Sequence, residues 1–265
     1  MKQMVRRNFE EKAAYFANSI PNMVVVDHGS FLLVDCGLPS DTLNVIVARD
    51  LSQPTRLLDE GVGYFIAKGY PMALWYWADE LDISGDKSGV DTLITYDLAH
   101  NETVIAMYAD QSHLNFKVTQ PETLIIKYAQ SATEIRQYGA VIAELFAESD
   151  EGPNMAAYYN LLSQYDMSRF PEMRHYIGIY DDQVVATGTL FIGRETVGIY
   201  DIVTSAQYRR RGIGSAMFAY LLNEAKSFPH RYVVLQASAD GIGIYRKAGF
   251  IPAGEVHIFD NRTLL

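Results

Sequence analysis

The amino-acid sequence predicts a mixed α/β fold (an α+β arrangement on mixed sheets) in two halves. Three observations carry this. The strand candidates RHYIGIYDD (174–182), QVVATGTLFIG (183–193) and TVGIYDIVT (196–204) are joined at Asp181-Asp182 and Arg194-Glu195, connections short enough to require antiparallel neighbours. TVGIYDIVT and RYVVLQAS (231–238) are apolar on both faces and flank a helical pattern, which implies a buried parallel pair with a right-handed crossover. Finally, the order strand 44–50, helix 54–68, strand 71–77, helix 88–99, strand 102–109 recurs as strand 197–204, helix 212–228, strand 231–237, helix 240–248, strand 250–259.

Taken in order, EEKAAYFANSI (10–20) is helical by its apolar period. NMVVVDHGSFLLVDCG (22–37) reads as two strands joined at His28-Gly29-Ser30. NVIVARD (44–50) is a strand. Pro54 opens a helix over TRLLDEGVGYFIAK, weakened by Gly61 and Gly63 and ended by Gly69. PMALWYWA (71–78) is a strand whose Trp75, Tyr76 and Trp77 place large rings on both faces, either as core or as a wall of an acceptor pocket. SGVDTLITYDLAH (88–100) is a helix with Ser88 or Asp91 at its N-cap, and ETVIAMYAD (102–110) is a strand.

The second half starts with the helix SATEIRQYGAVIAELFAES (131–149), whose Ile135, Tyr138, Ile142 and Phe146 share a face. PNMAAYYNLLSQY (153–165) is a further helix, and its Tyr158 and Tyr159 invite the same two readings as the aromatic strand. The three strands named above follow, then the helix IGSAMFAYLLNEAKSF (213–228), the strand RYVVLQAS, the short helix DGIGIYRKA (240–248) capped by Gly249, and a last strand FIPAGEVHIF (250–259). No Pro/Gly/Ser-rich linker separates the halves, and the expected domains are 1–125 and 126–265.

Composition limits the function. The 265 residues are 49% apolar and 20% charged, an ordinary globular balance. A net charge of −10 argues against nucleic acid or an anionic membrane as partner. Cys36 is the single cysteine, so no internal disulfide forms, which suits a cytoplasmic location. It reads as a small buried residue rather than a nucleophile. No run of 18 apolar residues suggests a membrane span, and the start has no signal-peptide core. The six histidines lack metal-ligand spacing, so no metal is expected.

Against that acidic background, SAQYRRRGIGSAMF (205–218) carries Arg209, Arg210 and Arg211 in a row before Gly212 and Gly214. It lies where strand 196–204 gives way to a helix, the end of a parallel pair at which ligands gather. Helix starts offer unpaired N–H groups and partial positive charge, and glycines let those groups approach an anion. A phosphate answers both features; a solvated basic turn answers the spacing equally well. No Lys follows either glycine as a Walker loop needs, and Met217 occupies the third glycine position of the Rossmann fingerprint. The spacing is instead R-x-x-G-x-G, from Arg209 to Gly214.

YRRRGIGSAM (208–217) followed by LQASADGIGIYRKAGF (235–250) resembles the acetyl-CoA site of the GNAT superfamily of N-acetyltransferases. The first stretch is similar to that family's [RQ]-x-x-G-x-[GA] pyrophosphate loop. The second is similar to its terminal signature, a Tyr four residues before a Gly-Phe pair. The resemblance covers about residues 130–265. The first half more loosely resembles the degenerate N-terminal copy of two-domain members, through the aromatic strand ALWYWAD and the shared element order.

The resemblance implies acetyl-CoA as co-substrate and a small-molecule or peptide amine as acceptor, in a monomer or homodimer. It implies that the backbone of Ile202, Val203 and Thr204 bonds the pantetheine arm. It implies that Arg209, Arg210, Arg211, Gly212, Ile213, Gly214 and Ser215 wrap the pyrophosphate. Ser238 falls where many members have an Asn that contacts the cofactor, a contact the shorter side chain puts in doubt. Tyr245 matches the tyrosine that protonates the departing thiolate, a task that suits a phenol of pKa near ~10; it also reads as a core tyrosine of an amphipathic helix. For the base that frees the amine, Asp201 leads, because it interrupts an apolar strand beside the expected cofactor path. It could equally point outward or bond a neighbouring strand. Glu195, His257 and a water chain are the other candidates. The first half has no arginine-glycine turn after NVIVARD, so it is not expected to bind CoA in this manner. Two rival functions remain: a non-catalytic CoA-binding or interaction protein, and a nucleotide-binding protein unrelated to CoA.

Overall fold

A computed structural model describes residues 1–52, 54–77, 88–239 and 241–265, with the backbone alone at residue 88. The chain divides into two compact units: Met1–Ala106 with Gln236–Asp240 and Pro252–Leu265, and Met107–Leu235 with Gly241–Ile251.

In the first unit, α1 (Lys2–Tyr15) precedes the hairpin β1 (Val24–Asp27) and β2 (Phe31–Asp35). Gly29 turns that hairpin at φ +81°, bonded to the Asp27 carboxylate at 2.8 Å. β2 pairs antiparallel with β3 (Val45–Ala48), and β3 pairs parallel with β4 (Ala73–Trp77), in register from Val45↔Ala73 to Ala48↔Tyr76. The crossover between them is α2 (Pro54–Arg56), a π-helical stretch over Leu57–Val62, and α3 (Gly63–Lys68). Gly61 lies in the π-helical stretch against Phe31 and Ile46, and a Cβ there would come within 3.0 and 3.3 Å of them. Gly69 ends the crossover at φ +65°.

α4 (Ser88–Thr95) stops earlier than the sequence suggests, because Asp97 takes φ +60° and Ala99 already begins β5 (Ala99–Asp110). The expected cap at Ser88 concerns a side chain outside the described residues. Phe31, Leu33, Ile46, Leu57, Phe65, Met72, Leu74, Leu93 and Phe259 form the core. Phe259 belongs to β11 (Ile251–Asp260), which pairs antiparallel with β4 from Val256↔Trp77 to Asp260↔Ala73. Trp75 packs on Phe9 of α1 at 4.3 Å, and Tyr76 stacks with His257 at 6.4 Å, so the aromatic strand serves this core.

In the second unit, β6 (Ile125–Tyr128), β7 (Met173–Tyr180), β8 (Gln183–Ile192) and β9 (Thr196–Thr204) run antiparallel in sequence order, and β9 pairs parallel with β10 (Tyr232–Ala237). β6 is an element the sequence reading does not anticipate; its four residues alternate too briefly to stand out before a helix. α5 (Ala132–Ala143) opens on a capping box, Ser131 with Glu134, and packs on α6 (Glu151–Leu162) where Tyr159 meets Gly139. α7 (Ile213–Ala225) makes the β9–β10 crossover, and α8 (Ile242–Lys247) follows. Each unit thus places one helical crossover between two parallel strands, with antiparallel strands before it, as the repeated element order predicts. No helix among the described residues is long and apolar enough to cross a membrane.

Candidate active site

The site begins with an irregularity in β9. Thr189 pairs with Tyr200, but Thr187 pairs with Val203, so Asp201 and Ile202 together oppose Gly188. This is a β-bulge, and Asp201 occupies it at φ +54°, a backbone region Asp tolerates better than most residues. The Thr187 hydroxyl donates to the Asp201 carbonyl at 2.8 Å and fastens the bulge. Opposite it, Gly188 lets α7 lie directly on the sheet, since a Cβ there would come 2.7 Å from Leu221 and 3.1 Å from Met217.

On its other edge, β9 stays in register with β10 only from Thr196↔Tyr232 to Gly198↔Val234, although β9 continues to Thr204. Ile199 and Tyr200 are buried, whereas Asp201, Ile202, Val203 and Thr204 are only half-buried. Beyond the bulge, β9 therefore keeps its register with β8 and extends past its register with β10. In β3 and β4 of the first unit, the parallel register extends through the whole of β3, so no such extension exists there.

Directly after β9 the chain enters the arginine-glycine turn. Arg210 takes φ +60° and Gly212 φ +79°, and alternating backbone hand of this kind curls successive N–H groups into a concave nest. The first helical bond runs from Ala216 N to Gly212 O at 2.9 Å. Among the described residues, the N–H groups of Arg210, Arg211, Gly212, Ile213, Gly214 and Ser215 have no acceptor. Unpaired N–H groups at a helix start, with the dipole behind them, form an anion site.

The arginines separate by role. Arg209 Nε donates to the Thr204 carbonyl at 3.1 Å and braces the turn against the end of β9. Arg211 donates to the Gln207 carbonyl at 3.3 Å and lies over the Tyr208 ring at 5.2 Å. The Arg210 side chain is exposed, with no hydrogen-bond or ion-pair partner among the described residues.

Tyr245 on α8 packs edge-on against Phe218 of α7 at 5.0 Å and near Phe250 at 6.2 Å. Its ring is fixed on the helix that the arginine-glycine turn opens. Its hydroxyl has no hydrogen-bond partner among the described residues, and burial pushes its pKa above the ordinary phenol value. The group is thus fully protonated at neutral pH.

Asp201 points its carboxylate toward α5, with Oδ2 3.4 Å from the Tyr138 hydroxyl. Tyr138 also lies 2.7 Å from the Thr189 hydroxyl, and Thr189 lies 2.9 Å from His175 Nδ1. Burial first, and the Asp201 charge second, hold the Tyr138 and Tyr159 phenols well above their usual value. The sequence reading missed these partners; the only signal was a polar residue interrupting an apolar strand.

Residues 140–250 match the sequence model of the Acetyltransferase (GNAT) family. This stretch is a GNAT acetyltransferase domain. It contains Asp201, the arginine-glycine turn and Tyr245. The GNAT fold extends over nearly the whole chain. A GCN5-related N-acetyltransferase from Kribbella flavida superposes with TM-score 0.63 at 16% identity, over 94% of this chain and 95% of that one. One from Sphaerobacter thermophilus gives 0.62 at 13% identity, over 89% and 81%. A tandem GNAT protein of the clavulanic acid biosynthesis pathway gives 0.53 at 12% identity, over 97% and 94%. At these identities the likeness is one of fold. No curated protein matches the sequence.

Ser238 is exposed just past β10, in the segment grouped with the first unit. Glu195 is exposed in the β8–β9 turn. His257 lies in β11 within the first unit, its Nδ1 3.0 Å from the Thr103 hydroxyl and 3.4 Å from His100 Nε2. Tyr158 and Tyr159 are buried, Tyr159 against Tyr138 at 5.0 Å, so they pack the core of α5 and α6. Among the described residues, no three His, Cys, Asp or Glu side chains gather as a metal site requires.

Proposed function

We propose that the protein is an acetyl-CoA-dependent N-acetyltransferase that acetylates a small-molecule or peptide amine by direct attack. The observation that carries this reading is the run of acceptor-less N–H groups at 210–215, at the end of a strand whose register with β10 stops at Gly198↔Val234. Those residues fit the two ends of the co-substrate: the N–H nest suits a pyrophosphate, and the open edge of Ile202, Val203 and Thr204 suits an amide-bearing arm.

When bound, acetyl-CoA supplies an activated acyl carbon for an amine to attack. The chain's residues do the rest. The nest and the β9 edge orient the thioester, and part of the catalytic gain comes from that orientation. Asp201 takes the proton that the amine gives up, which matters because an alkylamine of pKa ~10.4 is protonated at neutral pH. Tyr245 Oη donates its proton to the departing sulfur. Removing such a proton donor typically costs about 10²–10⁴-fold in rate. The first unit, with a complete β3–β4 register and no arginine-glycine turn, holds no second CoA by this means.

The test is thiol release from acetyl-CoA in the presence of polyamines, small primary amines and peptide N-termini. Amine-dependent release with at least one class supports the reading. CoA binding without release for any class would make the protein a binding module instead.

A further inference from the structure

Polar side chains from four elements meet beside the bulge: His175 of β7, Thr189 of β8, Tyr138 of α5 and Asp201 of β9. His175, Thr189 and Tyr138 are buried, and Asp201 is half-buried at the exposed end. A polar chain in such surroundings is favourable only when its donors and acceptors are matched in sequence. The chemistry of its end fixes the direction. An ionised carboxylate only accepts, so the Tyr138 hydroxyl donates to Asp201 Oδ2 across their 3.4 Å. The Thr189 hydroxyl then donates to Tyr138 Oη at 2.7 Å, and His175 Nδ1–H donates to Thr189 Oγ1 at 2.9 Å. This order aims the Tyr138 proton at the carboxylate, with the Tyr159 hydroxyl as a further partner of Tyr138.

We infer that Tyr138, backed by Thr189 and His175, is a positioning residue that holds the Asp201 carboxylate by its hydroxyl. The inference rests on Asp201 serving as the base proposed above. Among the described interactions, Tyr159 from α6 faces the carboxylate through its charge, and His175 from β7 reaches it through Thr189. Thr187 of β8 engages the Asp201 carbonyl, not the carboxylate.

The test is carbon-detected NMR of the full-length protein at neutral pH, following Tyr138 Cζ, with steady-state thiol release beside it. In Asp201→Asn the Tyr138 Cζ signal should shift, because its acceptor has changed from a carboxylate to an amide. In Tyr138→Phe kcat for thiol release should fall about tenfold, the scale of one lost hydrogen bond to a charged group, with KM for acetyl-CoA within about twofold of wild type. A Tyr138 Cζ signal that Asp201→Asn leaves in place overturns the inference. So does a wild-type kcat in folded Tyr138→Phe. Full thiol release in Asp201→Asn removes Asp201 as base, whatever the NMR coupling shows.

Discussion

Gly214 lies against Thr204: a Cβ on Gly214 would come 3.2 Å from the Thr204 hydroxyl oxygen. The two residues mark where β9 ends and α7 begins, and their closeness brings the open strand edge up to the N–H nest. Gly212 differs, since a Cβ there would meet nothing within 4 Å, but its φ of +79° disfavours any L side chain. One glycine is needed for space and the other for backbone hand. Gly214→Ala should therefore weaken CoA binding about tenfold by pushing Thr204 aside. Gly212→Ala should cost about 1 kcal/mol or more of stability and disorder the nest. Gly212→Asn should retain more affinity than Gly212→Ala, because Asn tolerates the left-handed region. Calorimetric titration with CoA and thermal unfolding of the three variants check this.

Tyr245→Phe keeps the ring that packs on Phe218 and Phe250 and removes only the hydroxyl. Turnover should fall by about 10²-fold with CoA affinity within about twofold of wild type. Equal turnover would remove Tyr245 from the mechanism and leave it a packing residue.

Glu134 gives a pH prediction for stability. Burial raises its pKa, but the ion pair with Lys127 and the N–H groups of Ser131 and Gln130 outweigh that and bring it down to about 2. A carboxyl depressed in the folded state stabilises fully above its unfolded value of 4.5 and loses that contribution as pH falls toward about 2. Glu134→Gln should cost about 1–2 kcal/mol at neutral pH and flatten the fall in stability between these two values. Urea unfolding across that range measures the slope.

Gly139 sets how closely α5 can approach α6, since a Cβ there would run into the Tyr159 side chain. Gly139→Ala should destabilise by about 1–3 kcal/mol through overpacking. Because Tyr159 in turn packs on Tyr138 at 5.0 Å, the variant should also lower thiol release. A variant as stable as wild type would show that the helices separate freely.

Much of this was legible in the sequence because it is governed by local rules. Strand alternation, the short turns at Asp181-Asp182 and Arg194-Glu195, and the glycine helix start each follow from a few adjacent residues. What escaped depends on pairing across the sheet. The bulge at Asp201 is visible only as a register difference between β8 and β9. The end of β9–β10 pairing at Gly198 has no residue signature, and nothing near residues 251–260 shows that this strand pairs with β4. The triple arginine was conspicuous for charge, yet Arg209 and Arg211 donate to backbone carbonyls and the groups left without an acceptor are main-chain N–H. Side chains advertise themselves in a sequence, and backbone geometry does not.

If CoA lies in the nest and along the open edge of β9, adding it to the full-length protein should move the N–H signals of residues 210–215 and of Ile202, Val203 and Thr204 together. Those signals should saturate at one affinity while those of β3 and β4 stay in place. Amide chemical shifts followed through a CoA titration measure this. Saturable CoA binding that leaves residues 210–215 unmoved would place the co-substrate elsewhere on the chain.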